Sequence, residues 1–363
     1  MMNKHVWFCL LFTPLFSFAQ ILQPGFNKAE YGELLRVSAK QFDSAYWVRF
    51  KIAPPADFTM AYRSPITGLD NRWDLWMNKE HTIAAISLRG TTGNSVSWLE
   101  NFYAAMVPAK GELQLNDSTT FKYQLAENDK AAVHVGWLVG MASMANNIVS
   151  KIDSCYKTGI RNFYIMGHSQ GGAIAYLLTS YLHYQQQNGA IPKDLIFKTY
   201  CSAAPKPGNL FYAYDYESYT TNGWAYNVVN SADWVPQTPI AIQTLDDFNA
   251  TNPFVNAKAI IRKLKFPANI ILRHAFNRLN KTTRKARDTY QKYLGSVVYK
   301  FVRKTLPQLG KPDLYESMQY ERAGNYIVLN ADADYYKKFP DSRDKIFVHH
   351  NFDAYLFLLQ KLQ

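Results

Sequence analysis

The hydrophobic pattern changes period repeatedly along the chain. Lys28 to Phe42 carries apolar residues at helical spacing, Leu34, Leu35 and Val37 among them, and predicts an amphipathic helix. Three short runs follow, Phe58–Tyr62, Arg72–Met77 and Thr82–Leu88, divided by Ser64-Pro65, Gly68 and a polar turn at Asn78–His81; these predict strands. Lys122–Leu125 reads as another short strand, and Val135–Cys155 returns to helical spacing through Trp137, Met141, Met144, Ile148 and Ile152. Arg161–Met166 is a strand that runs into Gly167-His168-Ser169-Gln170-Gly171-Gly172. A helix follows at once, with Ile174, Leu177, Leu178 and Tyr181 on its apolar side. Leu195–Ala204 and Ala225–Val229 read as buried strands, the first closed by Pro205 and Pro207-Gly208. From Ile240 to about Tyr320 the rhythm is helical and basic, before a last strand at Tyr326–Leu329 and a last helix at Asn351–Leu362. Strands alternating with helices predict an α/β fold, with a mostly parallel central sheet flanked by helices.

Composition sets the scale. With 363 residues, 48% of them hydrophobic, the chain can bury a large core and is unlike a disordered one. One large domain with insertions fits the length as well as two domains do. Residues 1–19 have the form of a cleavable export signal: Lys4, an apolar run from Val6 to Phe18, and Ser17 and Ala19 as the small residues before Gln20. Residues 20–363 then form the mature chain, secreted or periplasmic. Of the three cysteines, Cys9 lies in that signal, and Cys155 and Cys201 stand as either one disulfide or two buried thiols. No zinc-ligand spacing occurs.

Gly167-x-Ser169-x-Gly171 sits between a strand and a helix. A serine on so sharp a turn is pushed out of the sheet, and its neighbours two positions away must be small for the backbones to approach. The helix that starts after Ser169 aims its first amides at developing negative charge. Ser169 is therefore the candidate nucleophile, and His168 beside it reads as structural support. A serine needs a base, and the base an orienting acid, in the chain order Ser, Asp or Glu, His.

Asp233 follows the strand Ala225–Val229, where the catalytic groups of α/β proteins collect, whereas Asp246 and Asp247 read as solvated. Among later histidines, His274 lies in the basic segment, and His349 and His350 precede the last helix; spacing does not choose between that pair. Arg89-Gly90-Thr91-Thr92-Gly93, after a strand, offers an oxyanion hole from the Thr91 amide and hydroxyl, with the Gln170 amide as second donor. Such chemistry needs no metal or organic cofactor. Its free base must be neutral, so activity should fall below a pH of about 6.5, the ordinary histidine pKa.

Taken together, these segments resemble the class 3 lipases, the fungal-lipase-like triacylglycerol lipases of the α/β-hydrolase fold. Arg89-Gly90-Thr91 with Trp98 is similar to that family's oxyanion segment, and His134-Val135-Gly136-Trp137 to the start of the helix before its elbow. The elbow itself carries Gln170 where leucine is usual. Ala203-Ala204-Pro205-Lys206-Pro207-Gly208-Asn209 resembles the strand-end motif, and Asp233-Trp234-Val235-Pro236-Gln237-Thr238-Pro239 the acid motif. His350 with Tyr355-Leu356 resembles the histidine motif, a register that selects His350 over His349. The resemblance spans roughly residues 58–240 and 325–362. It implies a Ser169–Asp233–His350 triad cleaving carboxylic esters, of lipids above all, through an acyl-enzyme. Phospholipase A1 or a non-lipid carboxylesterase is the neighbouring alternative, and a non-catalytic lipid- or surface-binding protein the more distant one.

One departure stands out. Asp233 and His350 lie 117 residues apart, beyond the usual family gap, and the excess, 241–320, reads as a helical insertion or cap. Between Lys258 and Lys304 it holds fourteen lysines and arginines against one acid, Asp288, so it accounts for the chain's net charge of +12. Its cations alternate with apolar residues. It can be a solvated hairpin, a cap over the site, or a surface that touches anionic lipid. Nucleic acid is not an expected partner, since no recognition motif occurs.

Overall fold

A computed structural model describes residues 21–42 and 44–362, so the export signal expected at residues 1–19 lies outside the described residues. The chain opens with α1 (Lys28–Ala39), capped by Asn27, whose side chain accepts from the Ala29 and Glu30 amides, and a short α2 (Ser44–Arg49). Strands β1 (Phe58–Arg63), β2 (Trp73–Asn78) and β3 (Ile83–Leu88) follow in the predicted places. After α3 (Ser95–Phe102) come β4 (Met106–Pro108), the hairpin β5 (Lys110–Asn116) and β6 (Thr119–Gln124), and β7 (Ala132–His134). Then α4 (Val135–Lys157), β8 (Asn162–His168), α5 (Gln170–Gln187), β9 (Ile196–Ser202), α6 (Leu210–Thr220) and β10 (Ala225–Asn230) alternate. The insertion carries α7 (Ala257–Arg262), α8 (Ala268–Gln291), a π-helical turn at Lys292–Val297 and α9 (Val298–Thr305). The chain ends with β11 (Asn325–Leu329), α10 (Ala333–Lys338) and α11 (Phe352–Lys361).

Among the described residues the central sheet has seven strands in the order β1-β2-β3-β8-β9-β10-β11. From β3 to β11 every pairing is parallel, and β1 and β2 add antiparallel strands at one edge. This is the α/β-hydrolase arrangement expected from the sequence. Side chains alternate across a strand, so each parallel strand feeds two cores. Phe163 and Ile165 of β8 face a core built with α4, α5 and α6, while Tyr164 and Met166 face one built with α1 and α11. β8 is buried along its whole length, which fixes its register and hence the position of the turn that follows. Cys155 and Cys201 are free thiols buried in the first core.

The helical rhythm expected from Ile240 to Tyr320 is realised only over residues 257–305. The flanking stretches are extended or irregular; an isolated bridge from Ile242 to Met318 joins them to each other, and bridges from Met106 to Tyr315 and Gly208 to Glu321 stitch the second to the body. Asp246 is exposed, as expected, but Asp247 is not solvated. Asp247 is buried and accepts from the Thr244 and Ser317 hydroxyls, and Asp246 pairs with Arg284 and Arg287. Apart from Thr244, their partners lie 38 to 70 residues away in sequence, beyond the reach of local pattern.

Candidate active site

Ser169 stands at the tip of the turn between β8 and α5 with φ 61° and ψ −130°, a conformation costly for a side-chain-bearing residue. The surroundings hold it there. Its amide donates to the Ser202 carbonyl at 2.9 Å, and its carbonyl accepts from Gly172 and Ala173 at 2.9 and 3.1 Å. The flanking glycines are required by close approach: a Cβ on Gly167 would sit 2.0 Å from the Gly171 oxygen, and one on Gly171 2.2 Å from the Leu88 oxygen. Both contacts are with backbone, so neither neighbour can step aside.

Asp233 follows β10 and is buried. Its Oδ1 accepts from the Val235 amide at 3.0 Å, and its Oδ2 from the Tyr355 hydroxyl at 2.8 Å and from His350 Nδ1 at 2.7 Å. A carboxylate accepts, so His350 carries its proton on Nδ1 and leaves Nε2 as a lone pair. The His350 carbonyl accepts from His168 Nε2 at 2.8 Å. His168 Nδ1 must then accept from Ser202 Oγ at 2.9 Å, which in turn accepts from Tyr31 at 2.7 Å. This chain of donors anchors the loop that presents His350. Burial, reinforced by neighbouring His350, holds the His168 pKa well below the ordinary histidine range, so His168 stays neutral.

His349 faces elsewhere. Its Nε2 lies 2.9 Å from Asp341 and its Nδ1 2.8 Å from Tyr335, while its carbonyl accepts from Asn230. Of the adjacent pair, only His350 lines the cavity that holds Ser169.

Thr91, beyond the end of β3, lines the same cavity. Its hydroxyl accepts from Asn101 Nδ2 at 2.9 Å, which frees its own proton to donate. Asn101 is fixed in turn, since its Oδ1 accepts from Trp137 Nε1 at 3.0 Å and its carbonyl from His134 Nε2 at 3.2 Å. His134 is fully buried, and loss of water drives its pKa down to about 3. The loop carrying Thr91 is pinned as well: Arg89 lies 3.1 Å from the Asp70 carboxylate, and Thr92 donates to that carboxylate at 2.5 Å. Gln170 opens α5, where backbone N–H groups have no intrahelical acceptor. Its side chain bridges to α3, donating to the Ser97 carbonyl at 3.1 Å. Asn101, His134, Tyr355 and Tyr31 had no assigned part at the sequence level. The His134 to Trp137 segment and Tyr355 stood in recognisable motifs, whereas Tyr31 and Asn101 left no local signal.

The cavity has a volume of 500 Å³, within the range of small-molecule sites, and is walled mostly by apolar side chains. Trp98, Phe102, Trp137, Trp234 and Phe347 supply aromatic surface, and Tyr290 and Leu294 reach it from the insertion. No cluster of His, Cys, Asp or Glu that could hold a metal ion occurs among the described residues.

The model of the class 3 lipase family matches residues 85–243. Solved structures similar to this chain include the triacylglyceride lipase of Rhizomucor miehei, at 18% identity, covering 60% of this chain and 77% of that one with a TM-score of 0.43. A triacylglycerol lipase from Penicillium expansum is 19% identical, covering 58% and 74% with a TM-score of 0.41. No curated protein matches. The segment 85–243, which holds Ser169, Thr91 and Asp233, is the part of the chain that matches the class 3 lipase family.

Proposed function

We propose that the carboxylic ester hydrolysis implied by the family match is carried out by Ser169, His350 and Asp233 on acyl esters of lipids, outside the cytoplasm. The observation that carries the reading is a strained serine sharing an apolar cavity with a histidine whose other nitrogen is held 2.7 Å from a buried carboxylate. Ser169 Oγ attacks the ester carbonyl carbon while His350 Nε2 takes its proton. The oxyanion that forms is stabilised by the Thr91 amide and hydroxyl and the Gln170 amide. Collapse breaks the bond to the alcohol, which leaves with the proton from His350. Water then attacks the acyl-enzyme by the same route and releases the carboxylic acid. Asp233 keeps the imidazole oriented and stabilises its cation.

The apolar walls favour acyl chains over sugar or peptide substrates. Tyr290 and Leu294 make the insertion, residues 241–320, a wall of that cavity and give it the part of a cap within the single domain 20–363. Export rests on the form of residues 1–19.

Release of fatty acid from emulsified triglyceride, anionic phospholipid and short soluble esters tests the proposal, with wild type beside Ser169→Ala. Triglyceride turnover that vanishes in the variant is expected. Turnover confined to phospholipid or to short esters would replace the substrate class with the phospholipase or carboxylesterase alternative. No turnover of any ester would leave a surface-binding protein.

A further inference from the structure

The arm formed by α7 and α8 is strongly basic and almost wholly unburied. In α8, 24 residues long, only Arg287 is buried. One side carries a groove of 620 Å³ lined by five cations, Lys258 from α7 and Lys281, Arg284, Lys285 and Lys292 from α8 and its continuation. The acid at this groove is Asp288, and Arg287 already holds its carboxylate at 2.8 Å; Arg284 gives part of its charge to Asp246. Lys258, Lys281, Lys285 and Lys292 are exposed.

The tip between the two helices is apolar as well as basic. Phe266 is 79% exposed and Ile271 61%, with Leu264 and Ile270 exposed beside them. Lys263, Lys265 and Arg273 stand among these residues. A soluble hairpin gains nothing from large apolar side chains held in water at its tip. A nucleic-acid groove would account for the cations but not for the aliphatic tip. Together the two features match a surface that is anionic outside and apolar just beneath.

We infer that the α7–α8 arm docks on anionic phospholipid, its cations meeting headgroup phosphates and Leu264, Phe266, Ile270 and Ile271 entering the acyl boundary. The contact is peripheral, because no helix among the described residues is long and apolar enough to cross a membrane. The base of the same arm places Tyr290 and Leu294 in the catalytic cavity, so the docking element and a wall of the site belong to one continuous helical segment. The purpose of docking rests on the lipid-ester reading, but the docking itself is measurable without catalysis.

Sedimentation with vesicles tests it, using phosphatidylcholine alone and phosphatidylcholine with one quarter phosphatidylglycerol, with Ser169→Ala as the parent protein so that no lipid is consumed. The parent should bind the anionic vesicles, lose affinity as salt rises, and bind neutral vesicles weakly. Lys258→Gln, Lys281→Gln and Lys285→Gln combined should weaken anionic binding roughly 100-fold, about fivefold for each cation removed. Phe266→Ser with Ile271→Ser should remove the binding that survives high salt. With Ser169 restored, turnover of a short soluble ester should be unchanged in both variants, which shows an intact body. Equal binding to neutral vesicles, parent-like binding by the triple variant, or tighter binding to a single-stranded oligonucleotide than to vesicles would overturn the inference. Vesicle binding without turnover of any ester by the Ser169 enzyme would instead sink the hydrolase reading and leave the docking in place.

Discussion

Two long helices of this chain solve opposite problems. α5 spans 18 residues behind the elbow serine and buries fourteen of them, including both glycines at its start. α8 spans 24 and buries one. The first is built of small and apolar residues that let it lie against β8 and β9 at close range. The second carries charge on one side and apolar residues that stay in water at its tip. Precision of a reacting group needs the first kind of support, because small displacements at a nucleophile cost large factors in rate. Contact with a fluid surface needs the second, where exposed side chains adapt to what they meet.

That contrast can be broken at the reacting groups first. Asp233→Asn should lower kcat/KM by about 10⁴, since the amide no longer fixes the imidazole tautomer that leaves Nε2 free. Thermal unfolding of the variant should remain cooperative, and a loss of rate below tenfold would remove Asp233 from the mechanism. Thr91→Val should cost about 10²–10³ in kcat with KM little changed, because the hydroxyl acts only on the developing oxyanion.

Stability should divide along the same line. Leu177→Ala, in the fully buried face of α5, should cost about 2–5 kcal/mol in urea unfolding. Ile271→Ser on the arm should stay within about 0.5 kcal/mol. Comparable losses at both positions would mean the arm is part of the cooperative core.

Acid should act on the buried side alone. His134 is neutral in the folded protein down to a pKa of about 3, while in the unfolded chain it binds a proton near the ordinary histidine value. Stability from this group is complete above a pH of about 6.5 and declines as pH falls toward 3, by about 1.4 kcal/mol per pH unit. His168, also held neutral by burial, adds a slope of the same sign. Unfolding free energies between pH 6.5 and 4 should therefore be flatter in His134→Asn than in wild type, and parallel curves would contradict the assignment.

How much of this was legible beforehand follows the same division. The strands from β1 to β3, β8 to β11 and the elbow could be read because each carries its own period or punctuation within ten residues. His350 could be separated from His349 by motif register, and the geometry separates them again, with His349 turned to Asp341 and Tyr335. The helix α6 escaped because its run Leu210–Thr220 is rich in aromatic residues on all sides and has little amphipathic contrast. α3 is only eight residues long and is set by Asn94 as its cap and by packing on its neighbours. In the hairpin β5–β6 only the second strand was expected, although the first carries its own local signal, the alternation Glu112-Leu113-Gln114-Leu115-Asn116. Asn101 and Tyr31 matter through bonds to residues 10 and 171 positions away, and no local pattern announces such partners. The ion pairs of Asp246 with Arg284 and Arg287 are of the same kind.

The central claim is that Ser169 is activated by His350 and by no other base. Reaction with a fluorophosphonate ester, followed by mass spectrometry of the peptide that holds Ser169, measures this directly. One adduct is expected, on Ser169, formed quickly in wild type and in His349→Ala and slowed by orders of magnitude in His350→Ala. Labelling at another serine, or an undiminished rate on Ser169 after His350 is removed, would contradict it.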